Sequence, residues 1–374
     1  MHVYLCGLGD SMKIGIIGIP RSGKTSLFNA VTRGSAIVGS YSAANEPNIG
    51  TVQVPDTRLD ALVKIYNPKK TTYAEIQWVD YPYSGIGSSG IDQQLMQSLG
   101  DLDVLVHVVR SFADASVPHD QGSIDVDRDI GVLELELQFS DLELIEKRIT
   151  RIESEMRSLK TAERVEIERH QKLLNRMKLH LEEGFNLRTL EITEIEVQEV
   201  KHYNFVTLIP ELLIINIGEE QLSNIEEILN NATSRHGSPG RAIVLICAKV
   251  EAELSTMNLD EALEFRSELG LTGDPPLHNA ITITYDMLGL HSFLTAGEDE
   301  CRAWPIQKGL TAPQAAGKIH SDLERGFIRV EVASYEELIL AGSMAELKKR
   351  GQLRTEGKQY IVEDGDVMNV LFNV

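Results

Sequence analysis

Five short apolar runs set the rhythm of the chain, at residues 13–19, 74–80, 104–109, 212–217 and 242–248. Their hydrophobic residues are consecutive rather than alternating, so each run has to be covered on both faces. Helix-like stretches separate them. Together they predict an α/β fold, a mainly parallel sheet with helices on either side.

The rhythm changes between about residues 140 and 202. Ile145, Ile149, Ile152, Met156 and Leu159 recur at spacings of four and three, and Leu174, Met177 and Leu181 resume the stripe beyond "KTAERVEIERH". A narrow apolar stripe flanked by charge predicts a coiled-coil helical hairpin inserted into the α/β domain. The plainer alternative is two surface helices lying on the sheet. After about residue 290 come the strand-like runs "RAWPIQKG", "FIRVEVAS", "KQYIVED" and "VMNVLFNV", with a helix candidate at "TAPQAAGKIHSDLERG". They predict a small α+β domain. The expected boundaries are 12–139 and 203–290 for the α/β domain, 140–202 for the hairpin and 291–374 for the C-terminal domain.

Composition narrows the setting. The chain has 374 residues, of which 42% are hydrophobic and 25% charged, ample for two or three cores. No apolar run approaches the length of a membrane span, and "MHVYLCGLGDS" lacks the pattern of a secretory signal. Cys6, Cys247 and Cys301 are too scattered for a disulfide framework or a zinc site, so a reduced, cytoplasmic setting is expected. A formal net charge of -20 opposes indiscriminate binding to nucleic acid. No DNA partner is expected, and an RNA contact would need a local basic patch. Lys318, His320, Arg325, Arg329, Lys348, Lys349, Arg350, Arg354 and Lys358 form a candidate, with acids interleaved among them.

The candidate chemistry begins at "GIIGIPRSGKTSLFNAV", residues 15–31, where Gly18 to Thr25 spell G-x-x-x-x-G-K-T. This is a phosphate-binding P-loop: loop amides and the positive end of the following helix face the phosphates, Lys24 reaches the β- and γ-phosphates, and the Thr25 hydroxyl ligates Mg²⁺. Asp80 ends the apolar run of residues 74–80, where a carboxylate can hold Mg²⁺ through water. Base recognition belongs at the end of a later strand. There the chain carries Asn216, Ile217, Gly218 and Glu219, an N-x-x-E pattern in place of the guanine-reading N-K-x-D. "CAKVE" at residues 247–251 follows the next strand and is similar to the S-A-K loop of the same class.

Through these motifs and through "EPNIGTVQVPDTRLD", "HVVRSF", "CAKVEAELS", "RAWPIQKGLTAPQAAGKIHSDLERGFIR" and "EGKQYIVEDGDVMNVLFNV", the sequence resembles the YchF family from about Met12 to Val374. These are the Obg-like ATPases among the translation-factor P-loop GTPases. The resemblance implies a P-loop G domain, an inserted coiled-coil arm and a C-terminal TGS domain of ubiquitin-like β-grasp fold. It further implies slow hydrolysis, preference for ATP over GTP through N-x-x-E, and binding to the ribosome or ribosomal RNA through arm and TGS domain. By the same resemblance Gly18, Arg21, Ser22, Gly23, Lys24, Thr25 and Ser26 hold phosphates, Thr25 and Asp80 serve Mg²⁺, and Asn216, Ile217 and Glu219 surround the base. No catalytic side chain is assigned. Two departures stand out. Ala44 replaces the family's Mg²⁺-ligating switch I threonine, and Tyr83 stands where the switch II glycine should fall, with Gly85 the nearest substitute. They open an alternative, a degenerate relative that binds nucleotide, hydrolyses little and acts as a binding module.

Overall fold

The computed structural model describes residues 12–34, 47–81, 93–119, 121–156, 161–271 and 273–373. The expectations about Cys6, Ala44, Tyr83, Gly85 and Leu159 lie outside the described residues. The chain forms two compact units: Ser11–Gly50 with Gln77–Ala280, and Thr51–Ile76 with Ile281–Val374. Residues 51–76, which the linear pattern groups with the P-loop, thus cluster with the C-terminal region.

The first seven strands are β1 (Lys13–Ile17), β2 (Asn48–Gln53), β3 (Lys70–Thr72), β4 (Glu75–Asp80), β5 (Val104–Arg110), β6 (Glu211–Asn216) and β7 (Arg241–Ile246). All but β3 form one sheet in the order β2-β4-β1-β5-β6-β7. β1 pairs in parallel with β4 and β5, and β5, β6 and β7 continue in parallel. Every residue of β5 and β6 is buried, which is why these runs contain no alternation. β4 lies on one side of β1 and the later strands on the other. The crevice at the carboxyl end of β1 is therefore the topological switch point, where open α/β sheets bind ligands.

The first five helices are α1 (Lys24–Thr32), α2 (Thr57–Tyr66), α3 (Gln93–Gly100), α4 (Val126–Glu155) and α5 (Thr161–Glu182). α4 begins well before the expected residue 140, behind an Asp125 cap that accepts a hydrogen bond from the Arg128 amide at 3.0 Å. Its first turns bury Ile130, Leu133 and Leu137 against sheet residues. Further along, Ile145 and Ile152 meet Leu173, Leu174, Met177 and Leu181 of α5 in a separate core, with Ile149 and Met156 at its margin. One uninterrupted helix thus serves two cores. The hairpin has no backbone boundary at residue 140 because the same apolar stripe passes from one partner to the other.

Buried polar groups fasten the hairpin's base. The fully buried Asp141 carboxylate accepts hydrogen bonds from the Val206 amide (3.1 Å), the Thr207 amide (2.8 Å) and the Thr207 hydroxyl (2.6 Å). Glu211, at the start of β6, pairs with His107 Nδ1 (3.2 Å), Arg241 (2.6 Å) and Arg188, and Arg188 also donates to the Ile209 carbonyl at 2.8 Å.

In the second unit β8 (Leu290–Thr295), β9 (Glu300–Gln307), β10 (Phe327–Ala333), β11 (Arg354–Glu356) and β12 (Val367–Phe372) join β3 in the order β11-β10-β12-β8-β9-β3. The helix Ala312–Ile319 packs Ala312, Ala315 and Ala316 against Phe293, Ile306, Val330 and Met368. Arg58, on α2, bridges Asp56 and Asp364 at 2.9 Å each and so ties the two stretches of this unit together. The strand-like run "KQYIVED" is not a strand. It makes a single bridge, Ile361 with Thr311, and then turns as the Asp366 carboxylate accepts from the Glu363 amide at 2.9 Å. The short-range turn closed by Asp366, two residues past the run, outweighs the β propensity of Tyr360, Ile361 and Val362.

Candidate functional site

The loop between β1 and α1 is held by two glycines with left-handed backbones. A Cβ on Gly18 (φ 155°) would lie 2.2 Å from the Val108 carbonyl oxygen, and one on Gly23 (φ 96°) would lie 2.1 Å from Asn216 Nδ2. Side chains at either position would clash with backbone or with the neighbouring loop. Between them Arg21 adopts φ 62° and donates from Nη1 to the Pro118 carbonyl at 2.9 Å. Lys24 is buried, and its ammonium lies across the loop, donating to the carbonyls of Gly18 (2.8 Å) and Ile19 (3.0 Å). α1 carries no acid in its own first turn, and the carboxylate that reaches its positive end is Asp80 of β4, through Thr25. Ser22 is fully buried, with its Oγ unpartnered among the described residues, and Ser26 lies half-buried in the first turn of α1.

Beside this loop Thr25 Oγ1 donates to Asp80 Oδ2 at 3.0 Å, and Asn48 Nδ2 donates to the same oxygen at 3.3 Å. The other oxygen, Asp80 Oδ1, is buried without a partner among the described residues. Burial pushes the Asp80 pKa up, and the Thr25 hydrogen bond and the Lys24 charge pull against it. A hydroxyl and an under-satisfied carboxylate together form a hard-oxygen pair that fits Mg²⁺. Among the described residues no group of three or more His, Cys, Asp or Glu forms a metal cluster, so a cation here would keep several waters or substrate oxygens.

The three residues expected around the base take different positions. Asn216 is buried and bridges two loops: Nδ2 donates to the Ser22 carbonyl at 2.9 Å, and Oδ1 accepts from the Ala248 amide at 3.0 Å. Ile217 buries its side chain among Leu213, Leu245 and Val250, and its amide donates to the Ile246 carbonyl at 2.9 Å. Glu219 faces outward and pairs with Lys249 at 2.6 Å. Sequence reasoning named Phe112 only inside a family motif. Its amide donates to the Asn216 carbonyl at 3.1 Å, and its ring comes within 3.9 Å of a Cβ position on Gly23. The Arg110 guanidinium covers that ring at 4.4 Å. The available signal was an aromatic residue two positions past the end of a fully buried strand.

The helix Ala248–Thr256 opens at the Asn216 anchor and carries a buried carboxylate, Glu251, which is 6% exposed. Burial pushes its pKa up to about 7, against the attraction of Arg266. The folded state thus holds this proton more tightly than the unfolded chain, and stability falls as pH rises from about 4.5 to 7. Glu251→Gln should remove that dependence. The variant is expected to be more stable than the parent at pH 8, by on the order of 2 kcal/mol, and no more stable at pH 5. Thermal melts at the two pH values test this; an equal shift at both would place the proton elsewhere.

The basic residues of the C-terminal region are largely compensated within their own unit. Lys348 pairs with Glu331 (2.7 Å), Lys349 and Arg350 with Glu346 (3.6 and 3.3 Å), Arg354 with Asp366 (3.3 Å) and Arg325 with Asp322. Among the described residues no helix is long and apolar enough to cross a membrane.

A glycine-bounded loop leading into α1, a carboxylate at the end of the adjacent strand and paired loops at two further strand ends define a P-loop domain of the GTPase type. Residues 13–138 match the family model MMR_HSR1, described as "50S ribosome-binding GTPase", and residues 290–373 match YchF-GTPase_C, described as "Protein of unknown function (DUF933)". The chain is 38% identical over 371 residues to "Ribosome-binding ATPase YchF" of Bacillus subtilis, covering 97% of this chain and 100% of that protein. It is 37% identical over 366 residues to the protein of the same name in Escherichia coli O157:H7, covering 97% and 99%. The solved "Structure of the Schizosaccharomyces pombe YchF GTPase" superposes with a TM-score of 0.84 at 27% identity, covering 97% of this chain and 98% of that one. The chain belongs to the YchF family.

Proposed function

We propose that this protein is a Mg²⁺-dependent, ATP-preferring nucleotide hydrolase that switches its association with the ribosome. The observation that supports it best is the buried Lys24 ammonium lying across the P-loop, one residue from a hydroxyl–carboxylate pair. In this reading the loop amides, Lys24, Arg21, Ser22 and Ser26 hold the phosphates. Thr25 and Asp80 hold Mg²⁺, which when bound neutralises charge on the transferring phosphoryl group. Asn216 acts on the base indirectly, by keeping the loops after β6 and β7 in register with the P-loop. Ile217 contributes through the apolar packing beneath that loop, Glu219 offers its outward-facing carboxylate to the edge of an incoming base, and the Phe112 ring supports the base near Gly23. The partner reading rests on the relatives named as ribosome-binding ATPases. It assigns contact with ribosomal RNA to the helical arm of 140–202 and to a TGS-type domain at 291–374, in a cytoplasmic protein.

A second reading follows from Ala44 and Tyr83: nucleotide binding with little hydrolysis. Losing one preorganised electrostatic contact commonly costs about 10²- to 10³-fold in rate. Turnover of ATP and GTP, with and without ribosomes, tests both. The proposal expects ATP turnover to exceed GTP turnover and to respond to ribosomes. Tight ATP binding with no turnover in either condition selects the second reading, and a preference for GTP overturns the base assignment.

A further inference from the structure

The pairing of Glu219 with Lys249 joins the segment that follows β6 to the first turn of the helix Ala248–Thr256 that follows β7. The backbone beneath the pair is immobilised from several directions. Ile217 N donates to the Ile246 carbonyl at 2.9 Å, and the Asn216 side chain bridges Ser22 and Ala248. Gly218 N donates to Gln221 Oε1 at 2.8 Å, while Gln221 Nε2 donates to Ser111 Oγ at 3.0 Å. With its backbone fixed, Glu219 can redirect its carboxylate only through its side-chain torsions. Lys249 sets them, by donating to Oε1 at 2.6 Å.

The two purines present different edges to such a group. Guanine offers two adjacent donors, N1–H and the 2-amino group, whose complement is a carboxylate with both oxygens available. Adenine offers one donor, its 6-amino group, beside the N1 lone pair. A bare carboxylate would repel that lone pair, whereas a carboxylate with one oxygen turned to an ammonium presents a single acceptor.

We infer that Lys249 is the positioning residue for base selection: by holding one oxygen of Glu219 it leaves an acceptor for the amino group of adenine and denies guanine the second of its two contacts. This deepens the ATP-preferring reading above and rests on it. It also gives the N-x-x-E pattern a partner outside the motif, because a longer acid alone would still present two oxygens. The Glu219 carboxylate raises the Lys249 pKa above the ordinary lysine range, so the cation persists throughout neutral pH.

Lys249 is 72% exposed and Glu219 46%, so substitution at Lys249 leaves the fold intact. The test compares the full-length protein with Lys249→Met and Lys249→Arg by calorimetry with the Mg²⁺ complexes of ATP, GTP and inosine triphosphate. Inosine keeps N1–H and lacks the 2-amino group. The parent is expected to favour ATP and to bind GTP and inosine triphosphate about equally. In Lys249→Met, GTP should gain on inosine triphosphate by about fivefold, the upper end for an exposed ion pair, and the ATP preference should narrow. Lys249→Arg should keep the parent's ratios. Loss of a general electrostatic attraction would weaken all three nucleotides alike; an unchanged ratio of GTP to inosine triphosphate overturns the role of Lys249 while the ATP preference of the parent stands. A parent that prefers GTP overturns the base reading itself, and this inference with it.

Discussion

Lys24→Ala should weaken binding of Mg²⁺–ATP by two to three orders of magnitude, on the scale of losing a buried charged partner, about 2–5 kcal/mol. The ammonium is buried and donates to two carbonyls of the loop it crosses, so in the proposed reading it is held in place before any ligand arrives. The positive end of α1 and the loop amides remain in the variant and supply the residual affinity. Lys24→Arg keeps the charge but must place a larger planar group beside Gly18 and Ile19, so it should recover only part of the loss. Calorimetry at fixed Mg²⁺ measures this. A variant binding as tightly as the parent would remove the P-loop from the site.

The second large effect concerns stability. Glu211→Ala should cost about 3–5 kcal/mol, because it leaves buried Arg188 and nearly buried Arg241 without the carboxylate between them. Burial disfavours the charge on Glu211, but the guanidiniums of Arg188 and Arg241 outweigh it and hold the carboxyl far below its usual range. The stability this confers is complete above the unfolded-state value, about pH 4.3, and is lost as pH falls below it. The difference between parent and Glu211→Gln should therefore shrink in acid. Urea unfolding at pH 7 and pH 3.5 provides the comparison. Glu211 begins β6 and Asn216 ends it, about 17 Å apart along the strand. Nucleotide affinity of the folded variant should thus stay within a few-fold of the parent. A cost below about 1 kcal/mol at pH 7 would show that the pairs contribute little beyond an exposed salt bridge.

The central strands were legible because burial on both faces favours consecutive apolar residues, and residues 104–106 and 108–109 of β5 and 212–215 of β6 carry that signature. The P-loop was legible because Gly18 and Gly23 occupy backbone conformations that few residues tolerate, which forces a spacing onto the sequence. Contacts between distant segments left no such mark. Nothing local tells that the Asn216 side-chain amide reaches Ser22, whereas the meeting of Thr25 with Asp80 follows from assigning both to one Mg²⁺. β3 is three residues long and too short for a pattern, so its pairing with β9 was invisible. The start of α4 was obscured differently. Its apolar face is shared between two cores, and the coiled-coil rhythm was recognised only where α5 is the partner.

α4 runs 30 residues without interruption, about 45 Å from end to end. Its first turn is bonded to the nucleotide loop's neighbourhood: Asp129 pairs with His119 at 2.8 Å, and the preceding Pro118 carbonyl receives Arg21. Such a rod is a mechanical amplifier. A rotation of about 10° at its root would carry its far end through about 8 Å, Leu137 through about 3 Å and Ile130, one turn along, through about 1 Å. A displacement of about 1 to 3 Å where α4 packs on the sheet would become, at its far end, one wider than a base pair is thick.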